Sequence, residues 1–549
     1  MNPELLARAT DWMAADPDAA DRATIAQLVR DEQDDELARR FDAPLRFGTA
    51  GLRGPVMAGP AGMNRLTVRR ATQGVVAWLR GGAADPGRGV VVGRDARRGS
   101  EAFNDEVVAV LLGAGVPVWE MPGPLPTPLC AYAVRALGAA AGIMVTASHN
   151  PPGDNGYKLY GPSGAQIIPP DDALVEAAMR EPGPAVLGER RAASHHYVPE
   201  EVLAGYRSHL VERFGAPSEL AIAYTPLHGV GGATMTRLFE EAGFHRVSVV
   251  AEQFAPDGAF PTLPFPNPEE PGALDLALAT GERTGSTLVI ANDPDADRLG
   301  AAVRTAEGWR VLRGDEIGWL LGASLVAHAG PGDVVATTIV SSSMLGAIAA
   351  AAGVRYVETL TGFKWIARAA GDARLAFGYE EALGYAVDPA VADKDGLSAA
   401  LALARLADDL AREGRTLVDR LDELEARYGV HAGAQVTVRV AGDDATARIA
   451  ATVARLLSDP PRVLGGVAVE RVDDLSRGWR GLAPTSGLRL DLGATGRVVV
   501  RPSGTEAKLK AYLEVVGAPG PLEGLAERRA RARRTLEDVR ADLAARLDV

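Results

Sequence analysis

Short apolar runs alternate with longer stretches of helical periodicity along most of the chain. Runs of strand type occur at GVVVG (89–93), AGIMVT (141–146), LAIAYT (220–225), STLVIAN (286–292), GDVVATTIV (332–340) and RLAFGYE (374–380). Continuous apolar runs bounded by polar turns predict strands buried on both faces, and their alternation with helical segments predicts α/β domains. Residues 1–40 carry Leu5, Leu6, Trp12 and Met13 at helical spacing and predict a helical preface, within which the acidic run RDEQDDELARR reads as a solvated helix face. Helical patterning over 396–429 gives way to the strand-like AQVTVRVAG, so the architecture is expected to change near residue 430. Leu525, Ala532, Leu536, Val539, Leu543 and Leu547 then predict an amphipathic closing helix packed on a core.

The Pro-rich stretch PDGAFPTLPFPNPEEP (256–271) reads as a long irregular connection, and a less marked boundary falls around 195–215. At 549 residues the chain needs several cores. We expect four domains: 1–205 including the preface at 1–40, 206–325, 326–430 and 431–549.

Composition narrows the function classes. With 47% hydrophobic and 23% charged residues the chain reads as globular, without a disorder signature. The N-terminus has no basic segment ahead of an apolar run, and no apolar stretch reaches the roughly 20 residues of a membrane helix. A single cysteine, Cys130, cannot form an intramolecular disulfide. A cytoplasmic protein with no membrane partner is therefore expected. The net charge of −13 disfavours nucleic acid, and it requires any phosphate site to be built from a few converging Arg and Lys residues.

Four loops could carry chemistry. In TASHNPPGDNGYKLY (146–160), Ser148 lies just past a strand end, where α/β proteins place ligands, although its Pro, Gly, Asn and Asp neighbours also suit a plain turn. There is no G-x-S-x-G elbow, so a hydrolase triad with His149 is not supported. In NDPDADRLG (292–300), Asp293, Asp295 and Asp297 would repel one another unless a cation sat among them, and hard oxygen ligands suit Mg²⁺. An EF-hand is excluded, because Arg298 stands where its glycine and Arg304 where its final glutamate should be. In FGYEEALGY (377–385), Glu380 and Glu381 could accept hydrogen bonds from neighbouring sugar hydroxyls or act as acid and base; a helix N-terminus would also favour them. In RPSGTEAKLKAYLEVV (501–516), Arg501, Ser503, Gly504 and Thr505 offer a guanidinium fork, hydroxyls and a flexible backbone suited to phosphate. The segments FGTAGLRG (47–54) and GRDARRGS (93–100) add further basic groups.

Together and in this order, FGTAGLRG, TASHNP, DPDADR, GYEEALGY and RPSGTE resemble the α-D-phosphohexomutase superfamily, which includes phosphoglucomutases and phosphomannomutases. The resemblance spans residues 41–516 and is strongest to the branch with bacterial phosphoglucomutases and phosphopentomutase-like eukaryotic relatives. It implies three similar α/β domains and a smaller C-terminal α+β domain around a central cleft. It further implies that Ser148 is a phosphoserine and that Asp293, Asp295 and Asp297 hold Mg²⁺ with a serine-bound oxygen. Lys158 and His149 become the candidates for the proton carrier, the choice between them left open, and Arg53 and Arg298 neutralise the transferring phosphoryl group. Thr361, Gly362 and Lys364 of TGFKW, Glu380, Glu381 and Lys394 of DKDG would bind sugar and phosphate, with Arg501, Ser503, Gly504 and Thr505 on the non-transferring phosphate. The implied reaction interconverts glucose 1-phosphate and glucose 6-phosphate, with glucose 1,6-bisphosphate as activator, in a monomer or homodimer. Mannose and pentose phosphates are the alternatives, since Ala382 replaces the serine of a Glu-x-Ser pattern found in several members.

Two rivals from other classes are weaker. A dehalogenase-type aspartyl nucleophile would place its motif near the chain start, whereas DPDAD begins at residue 293. A non-catalytic sugar-phosphate sensor would have no need of both the serine and the carboxylates.

Overall fold

Strands form where the sequence holds continuous apolar runs, and every residue of Ala141–Val145, Ile222–Thr225, Leu288–Asn292 and Val334–Thr338 is buried. The computed structural model describes residues 2–48, 51–180, 182–440, 442, 444–503 and 508–547. They fall into two compact units, Met1–Leu312 with Gly384–Asp408, and Arg313–Leu383 with Asp409–Val549.

The first unit contains two sheets. One has six strands in the order Leu52–Pro55, Asp154–Tyr160, Ala141–Val145, Val90–Arg94, Val118–Pro124 and His195–Tyr197. The last four run parallel, while Asp154–Tyr160 is antiparallel to both its neighbours. The other has the order Gly308–Val311, Leu299–Thr305, Leu288–Asn292, Ile222–Thr225 and Val247–Val249. Here too the parallel strands give way to antiparallel ones after Leu288–Asn292. In both sheets the loop that leaves the last parallel strand therefore returns as a hairpin, at 146–153 and at 293–298. These are the two loops singled out by their serine and their carboxylates.

Three helices, Pro3–Ala15, Ala19–Arg30 and Asp34–Phe41, make the preface. Asn2 and Asp18 cap the first two by accepting hydrogen bonds from main-chain N–H groups of their first turns. The helices bury Leu5, Trp12, Ile25, Leu37 and Phe41 in one cluster with Leu66 of the helix Arg65–Trp78. The acidic run is not one solvated face, as its charge pattern predicts. The chain turns between the second and third helices, with Glu32 at φ 51°, and Glu36 then binds Arg39 and Arg40 one helical turn on. Residues 195–215 hold the strand His195–Tyr197 and the helix Glu200–Phe214, which buries Leu203, Tyr206 and Leu210.

In the second unit, Val334–Thr338 pairs in parallel with both Arg355–Thr359 and Leu375–Glu380. An antiparallel sheet follows, in the order His431–Arg439, Lys508–Val516, Gly496–Pro502, Leu488–Asp491 and Arg471–Asp474. Leu509, Ala511, Leu513 and Val515 face its core, as their alternation predicts, and Leu536, Val539 and Leu543 of the helix Leu525–Arg546 cover it. Among the described residues, no helix is long and apolar enough to cross a membrane.

Candidate functional site

Ser148 follows its strand in a left-handed conformation, φ 53°, that non-glycine residues rarely adopt. Thr146 holds the turn by accepting from the Ser148 N–H at 2.8 Å. Arg97 fixes it from behind: its guanidinium donates to the carbonyls of Ser148 and Asn150, each at 2.5 Å, and to those of Pro151 at 2.9 Å and Asp154 at 3.2 Å. Arg97 is itself buried, 3.5 Å from Asp95 and over the Phe260 ring. The effect is to present the Ser148 hydroxyl, which donates to Asp293 Oδ2 at 2.6 Å.

The carboxylate loop is equally constrained. Ala296 also has a positive φ, 56°, and the Arg298 N–H donates to Asp293 Oδ1 at 3.0 Å. Thr127 donates twice, by its N–H to the Asp295 carbonyl at 2.9 Å and by its hydroxyl to Asp295 Oδ2 at 2.6 Å. Asp293, Asp295 and Asp297 are wholly buried, with one carboxylate oxygen of each within 4.8 Å of the others. Lys158 Nζ lies 2.6 Å from both Asp295 Oδ2 and Asp297 Oδ2, and Lys394 Nζ lies 3.2 Å from Asp297 Oδ2.

These neighbours set the charges. Burial, with Asp295 and Asp297 close by, holds the Asp293 carboxyl well above the ordinary range. Burial works the same way on Asp295, where Asp297 adds to it, and on Asp297, but the neighbouring donors together hold both below that range: Lys158 and Thr127 at Asp295, and Lys158, Lys394 and Arg298 at Asp297. His149 Nδ1 is 3.2 Å from the Ser148 hydroxyl, and burial together with Arg298 and Arg53 pushes this imidazole well below its usual range. Arg53 donates to Asn150 Oδ1 at 3.3 Å, while its buried Nε has no hydrogen-bond partner among the described residues.

The three carboxylates fit a small divalent cation. Asp295 Oδ1 and Asp297 Oδ1 are buried without a hydrogen-bond partner among the described residues, and all the converging donors are hard oxygens. A dication would also offset the repulsion from Asp295 and Asp297 that adds to burial in raising the Asp293 carboxyl.

In the second unit, Glu380 accepts from the Gly362 N–H at 2.8 Å, which joins TGFKW to GYEEALGY. Glu381 accepts from the Ser341 hydroxyl at 2.7 Å, and burial, reinforced by Glu380, raises its carboxyl to about 7. Lys364 is buried, with its ammonium 6.0 Å from the centroid of Trp365. Thr361 is partly buried next to them. Arg501 sits near the end of the strand Gly496–Pro502 and hydrogen-bonds Tyr512 across the sheet. The Ser503 N–H donates to the Lys508 carbonyl at 2.8 Å; Gly504 and Thr505 lie outside the described residues.

Four family models match the chain in series. They are the phosphoglucomutase/phosphomannomutase alpha/beta/alpha domains I, II and III at 44–184, 204–308 and 313–428, and the C-terminal domain at 418–532. The chain belongs to the phosphoglucomutase/phosphomannomutase family. Its members are phosphosugar mutases, and the chain is an enzyme of that class. It is 39% identical over 464 residues to a Haemophilus influenzae protein named "Probable phosphomannomutase", covering 83% of this chain and 93% of the relative. It is 34% identical to a Mus musculus phosphopentomutase (95% and 92% covered) and 32% identical to a Mus musculus glucose 1,6-bisphosphate synthase (94% and 91%).

Within this phosphosugar mutase, the first unit brings together Arg53, Ser148, His149, Lys158, the three aspartates, Arg298 and Lys394. The second unit joins Gly362 to Glu380. Sequence reasoning missed Arg97, Thr127 and Ser341. Arg97 lies in the basic segment GRDARRGS, which was its only signal; Thr127 and Ser341 act through partners 168 and 40 positions away, and nothing local marks them.

Proposed function

We propose that the enzyme interconverts glucose 1-phosphate and glucose 6-phosphate through a phosphoryl group carried on Ser148. The observation behind this reading is the Ser148 hydroxyl, presented from a left-handed turn and hydrogen-bonded to the first of three buried, clustered carboxylates. Phospho-Ser148 gives its phosphoryl group to the free hydroxyl of the sugar monophosphate, breaking the P–Oγ bond and forming a P–O bond to the sugar. The resulting bisphosphate turns over, and its other phosphate returns to Ser148.

His149, whose Nδ1 is 3.2 Å from the serine oxygen, is assigned the proton at that oxygen: it takes the proton of the Ser148 hydroxyl when that hydroxyl attacks the bisphosphate and returns it when Ser148 is the leaving group, while the sugar oxygens, across the phosphorus, exchange theirs with water in the cleft. Lys158, held between Asp295 and Asp297, contributes positive charge beside the transferring group. Arg53 and Arg298 supply guanidinium donors to the phosphoryl oxygens. Mg²⁺ held by Asp293, Asp295, Asp297 and a Ser148 oxygen would neutralise charge on the phosphoryl group when bound. The roles in sugar and phosphate binding pass to Thr361, Gly362, Lys364, Glu380, Glu381, Lys394, Arg501, Ser503, Gly504 and Thr505, as the family resemblance implies. Glucose 1,6-bisphosphate is the activator in this scheme, and the likeness to a glucose 1,6-bisphosphate synthase supports bisphosphate chemistry.

A pentose reading is favoured by the phosphopentomutase likeness over 95% of the chain, and a mannose reading by the Haemophilus influenzae relative. Turnover of glucose 1-phosphate, mannose 1-phosphate and ribose 1-phosphate with Mg²⁺ and a bisphosphate decides among them. The proposal expects the highest kcat/KM with glucose 1-phosphate; a large preference for ribose 1-phosphate overturns the glucose assignment.

A further inference from the structure

A cavity of about 360 Å³ opens between the preface helices, the segment Pro44–Arg46 and the helices Arg65–Trp78 and Asp171–Arg180. None of its lining residues belongs to the four chemistry-bearing loops. Pro44, Leu45, Pro60 and Met179 give it apolar walls. Three guanidiniums also line it, those of Arg46, Arg70 and Arg180, against one carboxylate, Glu176. Arg180 pairs with Glu176, and Arg46 lies 4.0 Å from it, so the single acid is shared.

Arg70 is the unusual member. Its guanidinium lies over the face of Trp12, 4.7 Å from the ring centroid, and Trp12 is itself fixed by an edge contact with Phe41 and by donating from Nε1 to Asp16 at 3.1 Å. Among the described residues Arg70 makes no hydrogen bond and no ion pair. Burial presses it below the ordinary guanidinium range, opposed only by the more distant charge of Asp16. A part-buried guanidinium held on an aromatic face, with no protein acceptor among the described residues, keeps its donors available to a ligand, although a protein of net charge −13 has carboxylates to spare for it. The excess of positive charge beside apolar walls, in a space of ordinary ligand size, is the composition of a site for an anion with an apolar body.

We propose that this cavity binds a small amphipathic organic anion, its single phosphate, sulfonate or carboxylate group on Arg70 and its apolar body against Leu45, Pro60 and Met179. The site is separate from the mutase chemistry, and its failure would leave that reading intact.

Anilinonaphthalene sulfonate is a direct probe, since it combines apolar rings with one anionic group and fluoresces when its rings leave water. Titrated against the whole protein in the presence of saturating glucose 1,6-bisphosphate, it should bind saturably at one site. Arg70→Met keeps the apolar stem but removes the charge, and should weaken binding about tenfold or more. Glu176→Gln removes the competing carboxylate and should tighten binding severalfold. Octyl phosphate should displace the probe from this site more effectively than inorganic phosphate does. The proposal is overturned if saturable binding is absent, if the glucose bisphosphate displaces the probe, or if the affinity is the same in both variants as in the parent protein. Should Arg70→Met fail to fold, an unchanged affinity in Glu176→Gln overturns it alone.

Discussion

Arg97 holds Ser148 by its main chain, donating to the Ser148 carbonyl at 2.5 Å while its two terminal nitrogens also donate to the carbonyls of Asn150, Pro151 and Asp154, and its Nε faces Asp95 at 3.5 Å. A planar, five-donor fork suits this task, and an ammonium cannot reproduce it. Arg97→Lys should therefore lower kcat by about 100-fold through misplacement of the serine hydroxyl. Arg97→Ala additionally leaves Asp95 buried without its countercharge, and should cost about 3 kcal/mol or more of stability. Steady-state kinetics and thermal unfolding of the two variants check both statements; normal kcat in Arg97→Lys would show that the fork does not position Ser148.

The carboxylate cluster predicts metal-linked stability. A ligand that binds only the folded state raises stability by about 2.7 kcal/mol at a hundredfold excess over its Kd. Mg²⁺ should thus raise the melting temperature of the unphosphorylated protein, and Asp295→Asn should abolish the rise, because it removes one of three converging ligands. Chelation should abolish turnover. An identical melting curve with and without Mg²⁺ would contradict the assignment.

Glu381 predicts a pH dependence of stability in the second unit. Burial and Glu380 raise its carboxyl from an ordinary 4.5 to about 7, so the folded state favours the protonated form. The stabilisation is full below pH 4.5 and is lost as pH rises to about 7, by up to about 3 kcal/mol. Glu381→Gln should remain protonated-like throughout and be the more stable protein at pH 8, with little difference at pH 4.5. Urea midpoints at the two values test the sign.

Gly314 supports the same loop from the helix Gly314–Val326, where an added Cβ would lie 1.8 Å from the Glu381 carbonyl. Gly314→Ala must shift the loop. It should raise KM for the sugar phosphate while phosphorylation of Ser148 is unaffected, a split readable from kinetics and intact mass. An unchanged KM would mean that the position of Glu381 does not govern sugar binding.

What was legible in the sequence was chemistry concentrated in short segments. The buried strands announced themselves as continuous apolar runs, and Ser148, the alternating aspartates and RPSGTE stood out because each loop combines turn formers with an uncommon polar set. The turn that splits the acidic run was not legible, since Glu32 carries no glycine or proline to announce a left-handed residue. Arg97 and Thr127 were missed for another reason: each is a single residue whose importance is a buried contact with a distant partner, and only folding brings the pair together. The same holds for Arg70, whose pairing with Trp12 joins two helices far apart in sequence.

The central claim is that Ser148 carries the phosphoryl group. Intact-mass measurement of the protein before and after incubation with a sugar bisphosphate, run in parallel on Ser148→Ala, tests it most directly. The account predicts one acid-stable phosphoryl group on the parent protein, none on Ser148→Ala, and loss of mutase turnover with it. A Ser148→Ala protein that still acquires the group, or that retains full turnover, would contradict it.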